Sequence, residues 1–325
     1  MHDPIAESNH SPNRSARDQL LACRADRLAR VRAHTIAGAT VIDFGLQTPG
    51  SLRSGRALAQ ACMGGLSELR LSACDAAIFS VANAVHIHTD APVLSCLGCQ
   101  YAGWPVSTED YFAMGSGPMR LLRGKEEVLI DLQLVETETD LACGVIEADA
   151  LPPADAIEKI AHECDVETKQ LTIGLAPSTS IAGSIQIVAR SVETAMHKLH
   201  ALRFDVTQVV SASGTAPLPP PAKPGQSIAG IGRTNDAMLY GAEVTLWVDC
   251  PDHSIESVLD QAPSSASPDH GRPFKEIFAS YDHDFYKVDS TLFSPAVVRF
   301  HNLRSGRSFA AGRIEPEIMR ESFTT

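Results

Sequence analysis

The chain has 325 residues, of which 44% are hydrophobic and 20% charged, an ordinary globular mixture that is long enough for about two domains. Its net charge of −12 argues against general nucleic-acid binding, and it contains no apolar run of about 18 residues that would span a membrane. The eight cysteines are scattered, and the polar N-terminus lacks the apolar stretch of a secretory signal. We therefore expect reduced thiols and a cytoplasmic protein.

The first half of the chain predicts helices and strands in an irregular order. Residues 1–14 are polar and are expected to form a disordered tail. Leucine and valine residues at helical spacing predict an amphipathic helix over residues 18–34. The further elements expected here are strands at residues 40–44 and 127–134, a β-like run within residues 76–89 that ends in the alternating residues 85–88, and a helix from Pro153 to about residue 164.

The second half contains the most regular segment, a β-loop-α-β unit. Its parts are a strand at residues 171–176, a loop of small polar residues at 177–184, a helix at 185–202 and a strand at 206–210. A proline-rich exposed segment follows at residues 218–225, and further strands are expected at 242–249 and within 288–300.

Helices and strands do not alternate regularly along this chain, which predicts an α+β or irregular α/β fold. The mixed elements suggest two sheet-and-helix domains, residues 15–170 and 171–325, although the chain could cross between them more than once.

Arg190 and Glu193 lie three residues apart on the predicted helix, on the side opposite its apolar face. The ordinary interpretation is an ion pair on a solvated face, worth roughly 0.2–0.5 kcal/mol. The alternative is that the pair lines a cleft, where Glu193 would act as a general base held by Arg190. The small-residue loop before the helix could then offer free N–H groups to an anion or a carbonyl oxygen.

Two glycine motifs give weaker signals. Gly115-Ser116-Gly117 and Gly214-Thr215 would permit close backbone approach to a ligand. Each is equally typical of a plain turn.

Two groups of metal-binding residue types also occur. Cys96 and Cys99 form a single CxxC motif, without the second pair that a structural zinc site needs. His86, His88 and Asp90 alternate along a strand and could present ligands together, but partly buried strand histidines are the ordinary interpretation. The sequence has no P-loop, no complete dinucleotide-binding fingerprint and no GxSxG motif, so we predict neither a metal nor a cofactor.

Longer segments in a fixed order resemble one family, the methenyltetrahydromethanopterin cyclohydrolases of methanogenic archaea and methylotrophic bacteria. The resemblance extends from about Asp18 to Phe323. The matching segments are residues 100–104 (QYAGW), 112–118 (FAMGSGP), 176–184 (APSTSIAGS), 189–195 (ARSVETA), 213–217 (SGTAP), 232–237 (GRTNDA) and 292–296 (LFSPA).

The resemblance implies hydrolysis of N5,N10-methenyltetrahydromethanopterin to the N5-formyl compound in one-carbon metabolism. It also implies a cofactor-free homotrimer with two domains and a cleft between them. The family's essential glutamate and the arginine before it fall on Glu193 and Arg190. Less directly, the other motifs are expected to bind the pterin through Gly115, Ser116, Gly117, Ser180, Ser184, Gly214, Thr215, Arg233, Asn235 and Asp236.

This assignment agrees with the chemistry of the residues. The substrate is an amidinium-like cation whose bridging carbon is already electrophilic, so no metal is needed to polarise it. Glu193 could activate water, accept its proton and later protonate N10, with Arg190 orienting it. Two alternatives stay open: a non-catalytic pterin-binding protein of the same fold, and a dehydrogenase acting on the same carrier.

Overall fold

The computed structural model describes residues 11–137 and 139–324, and their contacts divide into two compact units. Unit 1 contains the residues up to Ser67 and Leu94–Gln186, and unit 2 contains Glu68–Val93 and the residues from Ile187 onward. Each unit has one six-stranded mixed sheet with helices, which confirms the predicted α+β class. The single domain boundary after residue 170 stays a prediction, because contact density does not show which parts fold alone.

The sheet of unit 1 has the strand order β1-β2-β8-β7-β6-β5. Its three central strands run parallel, and the flanking strands pair antiparallel. The strands are β1 Arg32–Ile36, β2 Ala39–Asp43, β5 Trp104–Ser107, β6 Phe112–Ser116, β7 Ala142–Glu147 and β8 Leu171–Ala176. The helices are α1 Pro12–Ala25, α2 Leu52–Cys62, a π-helix at Val93–Gln100, α4 Met119–Arg123, α5 Glu127–Asp131, α6 Ala154–Glu163 and α7 Ile181–Val188, with 3-10 turns at Arg27–Ala29 and Thr168–Gln170.

Two apolar clusters lie on opposite faces of this sheet. Val41 and Ile173 belong to the cluster that includes Ile157 of α6, whereas Ile42 packs with Leu20 of α1 and Leu58 of α2. A parallel strand that is covered on both faces needs a continuous apolar sequence, and all six residues of β8 are buried.

The sheet of unit 2 has the order β12-β11-β10-β9-β4-β3, with only β10 and β11 parallel. The strands are β3 Glu68–Ala73, β4 Asn83–Thr89, β9 Val209–Pro217, β10 Glu243–Val248, β11 Val297–Asn302 and β12 Ser308–Gly312. The helices are α3 Ala76–Phe79, α8 Ser191–Ala201, α9 Ser227–Gly241, α10 Asp252–Glu256, α11 Phe274–Ser280 and α12 Pro316–Thr324, with 3-10 turns at Val206–Gln208, Leu259–Gln261, Ser264–Ala266, Phe285–Lys287 and Ser290–Leu292. Buried and half-buried residues alternate along β10, as expected when one face of a sheet is packed.

Most of the predicted elements are confirmed. The strands expected at residues 40–44, 85–88, 171–176 and 242–249 and the helix after Pro153 match β2, β4, β8, β10 and α6. None of the helices in the described part of the chain is long and apolar enough to cross a membrane.

The predicted helix over residues 18–34 is wrong beyond Ala25, where α1 ends. Asp26 has extended backbone angles and accepts a hydrogen bond from the Leu28 N–H at 2.8 Å, which starts a 3-10 turn instead. The helix also begins earlier than expected, since residues 12–14 of the predicted tail belong to α1. Residues 1–10 of that tail lie outside the described residues.

Three other predictions need correction. Residues 127–134 begin with helix α5 rather than a strand, because a short apolar run carries no periodicity that separates the two. The helix expected at 185–202 begins at Ile181 and is divided at Ala189–Arg190 into α7 and α8. The strand expected at 206–210 begins only at Val209, because Asp205 caps a 3-10 turn.

Candidate active site

The division between α7 and α8 places Arg190 and Glu193 at a helix start. Arg190 is the N-cap residue of α8, and its carbonyl accepts a hydrogen bond from the Thr194 N–H at 2.9 Å. Glu193 lies in the first turn, where the partial positive charge of the helix N-terminus favours a carboxylate.

Both side chains of this pair are buried. Arg190 is 9% exposed and Glu193 is 4% exposed, so the interpretation as a solvated surface ion pair is wrong. Arg190 Nη1 lies 3.7 Å from Glu193 Oε2, which makes an ion pair longer than a hydrogen bond. A buried carboxylate beside a guanidinium can hold and pass on a proton in a site with little water.

Gly214 of β9 supports the beginning of this helix. A Cβ atom at Gly214 would lie 2.3 Å from the Oγ of Ser191, the fully buried residue between Arg190 and Glu193 on the helix. Glycine is therefore required here by close packing between strand and helix. The structure thus places Gly214, one of the predicted pterin-binding residues, against the helix turn that carries Arg190 and Glu193.

Thr215 lies on the opposite face of the sheet from Gly214, because side chains alternate along a strand. Its hydroxyl is 2.8 Å from His86 Nδ1, and burial lowers the pKa of His86. The rings of His86 and His88 are 6.3 Å apart, while Asp90 accepts a hydrogen bond from Ser211. Among residues 11–137 and 139–324 no group of three potential ligands could hold a metal ion.

The three predicted residues of α9 point to different partners within unit 2. Arg233 donates to the carbonyl oxygens of Pro220 and Pro221 at 3.2 Å, which attaches the proline-rich segment to the helix. Asn235 donates to a carbonyl of its own helix.

Asp236, the third residue, has no exposed surface and accepts a hydrogen bond from the Phe274 N–H at 2.7 Å. Burial raises its pKa to about 7. Its carboxyl group therefore holds the start of α11 against α9.

The Gly115-Ser116-Gly117 motif forms a packed turn in unit 1. Ser116 is 2% exposed and donates to the Val145 carbonyl at 3.2 Å. Gly117 has φ of 92°, and a Cβ atom there would lie 3.0 Å from the Cα of Gly144. This turn positions β6 against β7 through backbone contacts.

Ser180 caps the start of α7. Its hydroxyl donates to the Pro177 carbonyl at 2.8 Å and accepts from the Gly183 N–H at 2.9 Å. One of the N–H groups that were expected to be free for a ligand is therefore bonded to Ser180. The Ser184 hydroxyl lies 3.5 Å from the Ser178 carbonyl. The roles of these two serines in substrate binding, like those of the residues above, stay predictions.

Sequence reasoning missed the turn after β2. Asp43 is fully buried, and its carboxylate accepts three hydrogen bonds from the N–H groups of Gly45, Leu46 and Gln47 at 2.6–2.8 Å. A Cβ atom at Gly45 would lie 2.2 Å from the Cβ of Ser180, so this turn packs against the cap of α7. The signal in the sequence is an aspartate two residues before a glycine at the end of a strand.

The CxxC cysteines lie in the π-helix and are fully buried. Burial raises the pKa of Cys99, which disfavours the reactive thiolate. All eight cysteines are free thiols.

Comparisons with known proteins agree with the sequence resemblance. A family model described as "Cyclohydrolase (MCH)" matches residues 15–323. The chain is 60% identical over 291 residues to methenyltetrahydromethanopterin cyclohydrolase of Rhodopirellula baltica, covering 89% of this chain and 87% of that protein. It is 43% identical to the protein of the same name from Methylobacillus flagellatus, with 88% and 86% covered, and 39% identical to that from Methanospirillum hungatei, with 88% and 89% covered.

Proposed function

The chain belongs to the methenyltetrahydromethanopterin cyclohydrolase family, and we propose on that basis how it hydrolyses N5,N10-methenyltetrahydromethanopterin to N5-formyltetrahydromethanopterin. The catalytic group in this proposal is Glu193, and Arg190 is the residue that orients it. The observation that carries the proposal is that this buried pair lies at the start of α8, within the residues that the family model matches.

The reaction begins with water addition to the bridging carbon of the cationic substrate. The water oxygen forms a bond to that carbon while Glu193 accepts one of its protons. The neutral adduct then breaks its bond between the carbon and N10, and the protonated Glu193 gives its proton to N10. Loss of the hydroxyl proton completes the N5-formyl group, so that one water is consumed and one proton is released per turnover.

Arg190 supports this cycle by position and charge. Its guanidinium lies 3.7 Å from the carboxylate, and both lie in the first turn and cap of one helix. In the adduct, the same guanidinium would donate a hydrogen bond to the added oxygen and hold it in position. The substrate supplies its own positive charge to activate the carbon, so this cycle includes no metal-dependent step.

The experiment that tests the reaction is a direct absorbance assay of the methenyl substrate with the purified chain, without nicotinamide and after exhaustive chelation. We expect the methenyl absorbance to disappear and the N5-formyl product to accumulate at an unchanged rate. A nicotinamide requirement would favour a dehydrogenase. Substrate binding without turnover would favour a non-catalytic pterin-binding protein.

We also propose that the enzyme works in the cytoplasm as a homotrimer. Eight free thiols support a reducing compartment, because such a number in an oxidising one would favour disulfides. Sedimentation velocity on the purified chain tests the trimer, and a monomeric species at micromolar concentration would contradict it.

A further inference from the structure

The proton that the proposed reaction releases has to leave from a buried group. One proton is released per turnover, and Glu193 is the group that handles protons in that reaction. Its side chain is buried, so it has little contact with the surrounding water. Arg190 does not accept the proton, because a guanidinium stays protonated in proteins. A second side chain is therefore needed between Glu193 and the solvent.

Helix α8 itself carries three other ionisable side chains, His197, Lys198 and His200. A turn of 3.6 residues places His197 about 40° from Glu193 around the helix axis, and Lys198 about 140° from it. Lys198 is also committed elsewhere, since its Nζ donates to the Thr291 carbonyl at 2.6 Å. Side chains four residues apart are neighbours, with Cβ atoms about 5–6 Å from each other. His197 is thus the ionisable side chain of α8 that adjoins Glu193.

Exposure to solvent increases along this side of α8. Arg190 and Glu193 are buried, His197 and His200 are half-buried, and Ala201 at the end of the helix is exposed. The distance from Glu193 to His200 is seven residues, or about two helical turns. His197 therefore lies between the buried carboxyl group and the part of the helix that meets water.

The chemistry of imidazole suits this position. A neutral imidazole has one nitrogen that accepts a proton and one that donates, so a proton taken up on one side can be released from the other. Histidine is also the residue type that ordinarily changes its charge near neutral pH. It can therefore receive a proton from a carboxylic acid and pass a proton on to water within one turnover.

From these observations we propose that His197 transfers the proton of the reaction between the buried carboxyl group of Glu193 and the solvent. In the last step of hydrolysis Glu193 takes the hydroxyl proton of the adduct. The O–H bond of the carboxyl group then breaks while an N–H bond forms on His197, which leaves a carboxylate and an imidazolium. The imidazolium loses a proton to water, and both side chains return to their starting states.

The proposal rests on the hydrolysis proposed above and adds one residue to it. His197 acts through Glu193 and has no contact with the reacting carbon in this scheme. In the reverse reaction, ring closure consumes a proton, which enters by the same path. Loss of His197 should therefore slow hydrolysis and ring closure by the same factor.

The test is the methenyl assay on His197→Ala, with and without added imidazole. We expect kcat to fall about 10-fold or more with KM little changed, because the buried carboxyl group now releases its proton slowly. Free imidazole that enters the vacated space should restore kcat, whereas wild-type kcat should not depend on imidazole. The matched control is His162→Ala in the last turn of α6, an exposed histidine of unit 1, which should behave like wild type.

His197→Gln fills the space with an amide that does not titrate, and it guards against misfolding of the alanine variant. Its kcat should also be low and should rise with the concentration of imidazole buffer. A kcat near wild type in both variants, or a loss that imidazole does not restore in either, would overturn the proposal and leave His197 with at most a structural role.

Glu193→Gln in the same assay separates this proposal from the reaction on which it rests. It should be slow with and without imidazole, because the carboxyl group itself is missing. Near wild-type turnover of Glu193→Gln would contradict the mechanism as a whole. An inactive Glu193→Gln together with a fully active His197→Ala would contradict only the proton transfer by His197.

Discussion

Two buried arginine–glutamate pairs, one in each unit, use the same residue types in different ways. In unit 1, Arg120 is fully buried and its Nη1 donates to the carbonyl oxygens of Leu97, Gly98 and Cys99 at 2.9, 2.9 and 3.3 Å. Its Nη2 bonds Glu126. These donors are committed to the end of the π-helix, so Arg120 stabilises the backbone there.

The pair in unit 2 is arranged differently. Arg190 and Glu193 belong to one helix start, and their charged atoms are 3.7 Å apart. The contact within this pair is an ion pair, whereas Arg120 donates to three backbone carbonyls and to Glu126. Burial of an ion pair alone therefore does not identify a catalytic site. We expect substitutions in the Arg120–Glu126 pair to lower mainly the stability, and substitutions in the Arg190–Glu193 pair to lower mainly the turnover.

The largest expected effect is that of Glu193→Gln on turnover. The amide keeps the shape of the side chain but cannot accept the proton of water, so kcat should fall about 10²- to 10⁴-fold with KM little changed. The measurement is the methenyl absorbance assay over a range of substrate concentrations.

The matched control is Glu126→Gln, the same substitution in the other pair. It should lower the free energy of unfolding and leave kcat per folded molecule close to wild type. A Glu193→Gln enzyme with near wild-type turnover would remove Glu193 from the mechanism.

Arg120→Met should have the largest effect on stability. Removing this guanidinium takes a donor from three carbonyls and the nearer cation from Glu126, which keeps only the longer ion pair to Arg123, at a cost of about 3–5 kcal/mol in unfolding free energy. Urea denaturation measures this loss. Arg190→Met should lower turnover more than stability, and the reverse result would mean that the two arginines have the same structural role.

The order of the motifs predicts a catalytic role for the Arg190–Glu193 pair, whereas spacing alone favoured a solvated face. Helical periodicity shows which residues share a side, but it cannot show whether that side meets water. For the same reason the sequence did not distinguish polar residues that bind a ligand from those that complete the fold. Ser116, Ser180 and Asp236 have suitable chemistry and also form hydrogen bonds to Val145, to the cap of α7 and to α11, so their role in pterin binding stays a prediction.

The two sheets illustrate what the sequence predicts well. The continuous apolar run of β8 and the alternation of buried and half-buried residues along β10 are local patterns. Each is typical of one kind of strand, the first covered on both faces and the second on one. The division of α7 from α8 and the three crossings between the units depend on tertiary contacts, which a local pattern does not contain.

Asp236 is another buried carboxylate and sharpens the comparison, because its close partners are a backbone N–H and a hydroxyl rather than a guanidinium. Burial raises its pKa from 3.8 to about 7. Between these values the unfolded chain releases the proton that the folded chain retains, so the free energy of unfolding falls as the pH rises through this window.

Asp236→Asn removes this titration and can keep the bond to the Phe274 N–H. The difference in the free energy of unfolding between the variant and wild type should shift in favour of the variant by about 2 kcal/mol from pH 5 to pH 8. Urea denaturation at the two pH values measures the change, and an equal difference at both would show that Asp236 is ionised throughout.

The smallest expected effect is that of Gly214→Ala, and it tests whether the Arg190–Glu193 pair depends on its support. The new Cβ would lie 2.3 Å from the Ser191 Oγ, so the start of α8 must shift and carry both charged residues with it. Because small displacements of catalytic groups are costly, kcat should fall about 10-fold. The double variant Gly214→Ala/Ser191→Ala removes the hydroxyl that the new methyl group meets and should recover part of the turnover. If the hydroxyl deletion recovers nothing, the loss in Gly214→Ala does not come through the position of α8, and the support from β9 has no part in holding the pair.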